Sequence, residues 1–97
     1  MIVHIVMFKF NEKNKEENLQ IVKEKLEQLV EKIPTLLSIE VGIDFNQSER
    51  AFDLSLYSTF NTKEDLQEYA AHTEHVNVVT LIKSVTCGAK VVDYTLS

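Results

Sequence analysis

The central part of the chain reads Leu37-Ser38-Ile39-Glu40-Val41-Gly42-Ile43-Asp44-Phe45, in which apolar residues hold every second position. Successive side chains of a β-strand point to opposite faces of the sheet, so this period of two predicts a strand with one buried face. The polar residues 46–51 that follow predict a loop. Phe52–Phe60 again places apolar residues on one side, which predicts a second strand, antiparallel to the first.

A helical pattern precedes this hairpin. Between Glu16 and Ile33, apolar residues recur at helical spacing, with Lys, Glu and Gln mostly between them. These apolar positions are Leu19, Val22, Leu26, Leu29, Val30 and Ile33. Asn14 followed by Glu17 predicts a capping box at the start. Pro34 ends the helix, because the residue before a proline is driven out of the α region.

Both ends of the chain have the composition of strands. Ile2–Phe10 is rich in β-branched and aromatic residues, and Cys87–Leu96 predicts the last strand. Cys87 is the only cysteine of the 97 residues, which excludes an internal disulfide and favours a reducing, cytoplasmic location. Free cysteines are commonly buried, so we expect Cys87 to be buried.

The segment between residues 62 and 86 contains a second helical pattern with a change of phase. Thr62 to Asp65 is a capping-box signature that predicts the helix start. One apolar face carries Leu66, Tyr69, Ala70 and Thr73, whereas another carries His75, Val78, Val79 and Ile82. At about 100° per residue, no single straight helix buries both sets. We therefore predict a break near His72, with Thr73 capping a second, short helix.

The resulting order βαββαβ predicts one α+β domain over residues 1–97, with the ferredoxin-like fold. Right-handed crossovers place the helices on one face of a four-stranded antiparallel sheet of order 4-1-3-2. The face predicted to lie under the helices consists of His4, Val6, Phe8, Phe10, Ile39, Val41, Ile43, Leu54, Leu56, Phe60, Ala89 and Val91. The opposite face then carries Val3, Ile5, Met7, Tyr57, Val92 and Tyr94.

The opposite face predicts a homodimer. Six sizeable apolar groups in water exceed the patch that a soluble monomer usually exposes, and burying each one stabilises by roughly 1.5–3 kcal/mol. Packing of the open sheet faces of two copies covers the patch and gives a barrel-like dimer. The alternative is a monomer whose polar neighbours keep this face wet. Those neighbours are Ser38, Glu40, Asp53 and Ser55.

Composition and motifs exclude several classes of function. The formal charge of −5 disfavours a nucleic-acid partner, and no run of residues is long enough to cross a membrane. No serine lies in a nucleophile-elbow motif, and both glycines are isolated, so neither a phosphate loop nor a dinucleotide fingerprint is present. We expect no cofactor.

Three residues that can transfer protons converge between the helices and the sheet: His4, Tyr69 and His75. A buried histidine can serve as a base near neutral pH, while a tyrosine hydroxyl donates to a carbonyl oxygen. The alternative is that these residues are hydrogen-bonded core side chains without chemistry. A three-histidine metal site that adds His72 is disfavoured, because the helix break separates His72 from His75 and no metalloprotease-type motif is present.

At these residues the chain resembles the stress-responsive A/B barrel family, also called the dimeric α/β-barrel or Dabb family, over nearly its whole length. The resemblance is carried by His4-Ile5-Val6-Met7-Phe8-Lys9-Phe10, Lys32-Ile33-Pro34, Ser38-Ile39-Glu40-Val41-Gly42, Phe52-Asp53-Leu54, Tyr69-Ala70-Ala71-His72-Thr73-Glu74-His75 and Val91-Val92-Asp93-Tyr94. It implies a ferredoxin-like homodimer whose two sheets form a barrel. One departure is Thr73, which stands where the family usually has proline.

The resemblance also implies a site. In family members with cyclase activity, a tyrosine and histidines under the helices transfer protons, which by position implies Tyr69 and His75, with His4 on the facing strand and His72 at the rim. We expect the ligand-binding wall to contain His72, Val6, Phe8, Val22, Leu26, Ile39, Leu56 and Val78. The expected function is binding, or cofactor-free acid–base transformation, of a small hydrophobic oxygenated molecule. The alternative is a non-catalytic structural or stress-related oligomer.

Overall fold

The computed structural model describes all 97 residues and contains four strands and four helical segments. In chain order these are β1 Ile2–Phe10, α1 Lys15–Glu27, α2 Leu29–Lys32, β2 Ser38–Ile43, β3 Leu54–Phe60, α3 Lys63–Ala71, α4 Thr73–Val85 and β4 Thr86–Thr95. The strands form one antiparallel sheet of order β2-β3-β1-β4, which confirms the predicted ferredoxin-like fold and strand order. Each predicted helical region is divided into two segments.

The ends of the first helical region follow local rules only in part. Ile33 has an extended backbone immediately before Pro34, as predicted. The predicted capping box at the start is wrong: Asn14 adopts a left-handed conformation with φ 55°, and its side chain makes no capping hydrogen bond. A capping side chain normally reaches the backbone N–H groups of the helix from an extended residue, and Asn14 is not extended. The region is also interrupted at Gln28, between α1 and α2.

The predicted break in the second helical region is confirmed. His72 has an extended backbone (φ −66°, ψ 137°) between α3 and α4. The predicted cap is wrong, because Nδ1 of His72 itself accepts a hydrogen bond from the N–H of Glu74 at 3.1 Å, and Thr73 is the first helical residue. Nor is the second segment short, since α4 has 13 residues and α3 has nine. At the start of α3 the hydroxyl of Thr62 accepts the N–H of Asp65 at 3.0 Å, as predicted.

The core lies between the helices and one face of the sheet. It is a single cluster of 16 buried residues: Ile2, Val6, Phe10, Leu19, Val22, Leu26, Leu29, Ile33, Leu36, Val41, Leu54, Leu56, Phe60, Tyr69, Val78 and Ile82. Val30 was predicted to belong to the buried stripe but is exposed. Leu29 and Ile33, four residues apart, occupy the buried side of this turn, and the next residue along a helix is turned about 100° away.

The last strand is much less covered than its pattern suggested. Ala89 and Val91 were predicted to lie under the helices, and Cys87 was predicted to be buried, but all three are exposed, Val91 by 57%. The reason is the position of the helices: α1 and α2 pack against the other edge strand, β2, and α3 packs against β1 and β3, whereas β4 is paired only with β1 and follows directly from the end of α4. An edge strand beyond the helical layer keeps its backbone pairing without acquiring a buried face.

The opposite face of the sheet carries the predicted apolar residues, and most of them are exposed. Met7, Tyr57, Val92 and Tyr94 are exposed, Ile5 is half-buried, and Val3 is fully buried although it lies outside the core cluster. Cross-strand pairing places Ile5 beside both Tyr57 and Val92, so the exposed apolar residues are contiguous. No helix is both long and apolar enough to cross a membrane.

Candidate active site

Tyr69 of α3 is the centre of the candidate site. It is only 1% exposed, and its ring packs against Phe60 of β3 and His75 of α4 with centroid distances of 5.0 and 4.4 Å. His4 of β1 meets the same ring edge-on at 6.3 Å. The break at His72 allows this arrangement, because it lets α4 start in a new direction and place His75 beside Tyr69. The three predicted catalytic residues therefore lie together.

The hydroxyl of Tyr69 is buried and has no hydrogen-bond partner. Burial raises its pKa above the ordinary tyrosine value, so the group stays protonated and can act only as a neutral donor or acceptor near pH 7. An unpaired buried hydroxyl costs roughly 1–3 kcal/mol, and most buried polar groups in proteins are paired. The site therefore contains a donor that lacks an acceptor.

His75 has the properties of a neutral base. Its Nδ1 lies 3.0 Å from the carbonyl oxygen of Ala70, which can only accept, so Nδ1–H donates and the neutral ring keeps the lone pair on Nε2. Burial lowers the pKa of His75 and outweighs this hydrogen bond, which acts in the opposite direction. The neighbouring His4 and His72 lower it further when they are charged. A neutral imidazole at pH 7 can accept a proton.

His4 is oriented by Asp93, a residue that had not been singled out as functional. The two form a cross-strand pair between β1 and β4, and Nδ1 of His4 is hydrogen-bonded to the carboxylate of Asp93. A carboxylate that accepts from Nδ1–H fixes the tautomer and leaves the lone pair on Nε2. The register of β1 and β4 is the signal that could have revealed this pair, because facing residues of antiparallel strands share one side of the sheet.

His72 does not join this group, since its Nδ1 caps α4. Nδ1 of each of the three histidines is thus engaged by a different partner: a carboxylate, a backbone N–H or a backbone carbonyl. No group of three or more His, Cys, Asp or Glu side chains is placed to hold a metal ion.

The predicted ligand-binding wall is mostly closed core. Val6, Val22, Leu26 and Leu56 are buried there, and Phe8 and Ile39 pack against it. Val78 lines a groove of about 260 Å³ between the two helical regions. The open space beside the candidate site is a groove of about 550 Å³ between α3 and β4, called here the α3–β4 groove. It is lined by Ile2, His4, Lys63, Leu66, Gln67, Ala70, Asp93, Tyr94 and Thr95.

A larger cleft of about 820 Å³ lies at the other end of β1, beside the start of α1. Several of its charged side chains are already engaged within the protein. The carboxylate of Asp53 accepts the N–H of Phe10 at 2.7 Å, and Lys15 pairs with Glu12 at 3.0 Å and with Asp53 at 3.5 Å. Lys9 donates to the carbonyl of Ala51 at 3.1 Å. This cleft holds no histidine or tyrosine, so the α3–β4 groove is the better candidate despite its smaller volume.

Comparisons with known proteins agree with this description of the fold. The family model described as Stress Responsive A/B Barrel Domain matches residues 2–96. A dimeric protein of unknown function with a ferredoxin-like fold from Bacteroides fragilis is 32% identical, with a TM-score of 0.90 over 98% of this chain and 95% of that chain. No curated protein matches.

Two more distant structures are similar in fold alone. A protein from Arabidopsis thaliana is 23% identical, with a TM-score of 0.88 over 100% of this chain and 96% of that chain. A hydroxynitrile lyase from Passiflora edulis is 16% identical, with a TM-score of 0.87 over 99% and 93% of the two chains.

Proposed function

The chain belongs to the stress-responsive A/B barrel domain family, and from this premise we propose that it is a homodimer that binds a small hydrophobic oxygenated molecule in the α3–β4 groove. The observation that carries the proposal is the unpaired hydroxyl of Tyr69, buried beside two imidazoles next to this groove. A ligand carbonyl that passes from the groove to the hydroxyl of Tyr69, which does not itself line the groove, would supply the missing acceptor. Apolar side chains of Ile2, Leu66 and Ala70 line the groove and suit a hydrophobic ligand body.

The same groups support acid–base chemistry without a cofactor. In the proposed reaction, Nε2 of His75 takes a proton from the carbon next to the ligand carbonyl, and the C–H electron pair forms the enolate. The hydroxyl of Tyr69 donates a hydrogen bond to the enolate oxygen, and His4, held by Asp93, positions the carbonyl end. Return of the proton to carbon gives back the ketone. If the ligand carries a second carbonyl, attack of the enolate carbon on it instead closes a ring, and His75 returns the proton to the alkoxide that forms. A positioned base and donor of this kind typically accelerate proton transfer by about 10²–10⁴-fold.

The homodimer is proposed through the open sheet face, with contacts from Ile5, Met7, Tyr57, Val92 and Tyr94; Val3, which was also predicted for this interface, is already fully buried within the protomer and lies behind these contacts. The exposed apolar residues of this face support it, as does the related Bacteroides fragilis protein, which is described as dimeric. The α3–β4 groove opens on the helical side of the sheet, because Asp93 and Thr95 pair with His4 and Ile2 there. Dimerisation through the other face leaves the groove accessible from the helical side, with Tyr94 at the border between the groove and the proposed interface. We assign this activity to the cytoplasm, on the basis of the single free thiol.

Proton exchange tests the proposed chemistry directly. The dimeric protein is incubated in D₂O with 4-phenylbutan-2-one, and loss of the protons next to the carbonyl is followed by NMR. We expect catalysed exchange that falls by about 10²-fold or more in His75→Ala and in Tyr69→Phe. Lys83→Ala, an exposed change near the end of α4, is the matched control and should keep the wild-type rate. Equal exchange in wild type and both site variants would refute the catalytic assignment.

A non-catalytic oligomer is the second candidate, and one observation favours it. Most of the predicted ligand-binding wall is closed core, and Tyr69 and His75 do not themselves line the groove. On this view His4 and Asp93 tie β1 to β4, and the rings of Tyr69 and His75 fill the space under the helices. Absence of any ligand-dependent shift in the NMR signals of residues around the groove, together with an intact dimer, would favour this candidate.

A further inference from the structure

The α3–β4 groove has a distinct positive end. Lys63 lies there at the first position of α3, and Gln67 and Thr95 contribute an amide and a hydroxyl. From these groups we infer that the groove recognises an anionic group, and that its ligands are small amphipathic acids whose carboxylate binds at Lys63. This inference rests on the proposed function and specifies the ligand class of the same site.

The topology determines which end of the groove is positive. Phe60, the last residue of β3, pairs with Ile2, and α3 begins three residues later, so Lys63 starts at the Ile2 end of the sheet. Lys63, Leu66, Gln67 and Ala70 then follow at helical spacings of three and four, which places them on one stripe of α3. The opposite wall consists of the cross-strand pairs Ile2–Thr95 and His4–Asp93. The groove thus runs from the ammonium of Lys63 toward the imidazole of His4.

The polar groups at the Lys63 end are not used within the protein. Lys63 takes part in none of the five ion pairs of the chain. No side-chain hydrogen bond of Lys63, Gln67 or Thr95 is present. The one carboxylate in the groove, that of Asp93, is instead hydrogen-bonded to His4. A positive charge and two further donors therefore remain for a ligand, and a carboxylate offers the acceptors they need.

The net charge of −5 opposes the binding of an anion, whereas the ammonium of Lys63 attracts one. At physiological ionic strength, exposed charges more than about 8 Å apart are largely screened. The nearby ammonium therefore contributes more than the distant surface carboxylates. Because Lys63 is exposed, its contribution is modest, and we expect a carboxylate to improve binding by about threefold to tenfold.

The groove also limits the length of the ligand. Ile2 and His4 are two residues apart on β1, or roughly 7 Å, and Lys63 and Ala70 are seven residues apart on α3, or roughly 10 Å. The carboxylate and the reacting carbonyl should thus be separated by about 7–10 Å. Medium-length keto acids with an apolar middle have this geometry.

A matched pair of ligands tests the inference. Two-dimensional NMR titrations of the dimeric protein with 4-phenylbutanoate and with 4-phenylbutan-1-ol compare an acid and an alcohol with the same apolar body. We expect the acid to bind about threefold to tenfold more tightly, with shifts at residues 62–71 and 93–95. Lys63→Ala should abolish this preference and Lys63→Arg should retain it. Lys83→Ala removes the same charge far from the groove and should leave the preference unchanged.

The outcomes separate this inference from the function on which it rests. Equal binding of acid and alcohol in the groove would overturn the anionic preference and leave the proposed ligand site standing. An equal loss of acid binding in Lys63→Ala and Lys83→Ala would also overturn it, because the effect would then be one of net charge. Failure of both ligands to shift the groove residues would count against the inference and the proposed function together.

Discussion

At the scale of single residues, the buried hydroxyl of Tyr69 makes no hydrogen bond within the protein and therefore does not stabilise the fold. Tyr69→Phe should therefore raise the free energy of unfolding by about 1 kcal/mol, equivalent to a Tm higher by about 4–8 °C, and should lower the proposed proton-exchange activity. Urea and thermal unfolding measure the first effect. Ser58→Ala is the control, because the buried hydroxyl of Ser58 donates to the carbonyl of His4 at 3.2 Å, and its removal should destabilise. A destabilised Tyr69→Phe variant would show that the hydroxyl has a partner.

The lowered pKa of His75 makes a prediction for the pH dependence of stability. In the unfolded chain this residue takes up a proton near pH 6.5, but in the folded protein it does so only at a lower pH. Its contribution to stability is therefore complete above about pH 6.5 and is lost as the pH falls through the folded pKa. Denaturant unfolding between pH 5 and 8 measures this slope. His75→Gln should make the slope shallower; an unchanged slope would contradict the assignment.

At the scale of secondary structure, the break between α3 and α4 depends on His72 and on the residue after it. Thr73 is the first residue of α4, where a proline is well tolerated because its fixed φ suits the helix and no N–H is required. His72 already has the extended backbone that a following proline demands. Thr73→Pro should thus stabilise by about 0.5–1 kcal/mol, measured by urea unfolding.

Thr80→Pro is the matched control for this change. Thr80 lies inside α4, where proline removes a helical hydrogen bond and clashes with the preceding turn, so this variant should lose about 3 kcal/mol or more. Loss of stability in Thr73→Pro would mean that the N–H of Thr73 is needed for a hydrogen bond, or that the first turn of α4 has no room for the proline ring.

At the scale of the whole molecule, two adjacent residues of β4 distinguish the proposed interface from the rest of the surface. Val91 and Val92 are equally exposed, at 57% and 58%, but they point to opposite faces of the sheet. Val92→Glu should convert a dimer of twice 11.1 kDa to a monomer in sedimentation experiments, because it buries a charge in the interface. Val91→Glu should remain dimeric. Dissociation by both variants, or by neither, would argue against the open sheet face.

Local sequence determined most of the fold. The alternation in residues 37–45, the proline after Ile33 and the capping pattern at Thr62 each act over a few residues, so they could be predicted without tertiary contacts. The phase change near His72 likewise predicted the break, and helical and strand periodicity brought His4, Tyr69 and His75 to one side of the sheet. The caps were not predictable in this way. Asn14 has a left-handed backbone and makes no cap for α1, and at the start of α4 the residue with the extended backbone and the capping side chain is His72 and not Thr73.

Tertiary structure alone decided which side chains the other elements cover and which partners they meet. Cys87, Ala89 and Val91 have the pattern of a half-buried strand, yet they are exposed because the helices leave these positions of β4 uncovered. The α3–β4 groove and the pairing of His4 with Asp93, which are 89 residues apart in the sequence, depend on the register between β1 and β4. Periodicity specifies the face on which a residue lies, but coverage and register are set by packing between distant segments, and these contacts leave no local pattern in the chain.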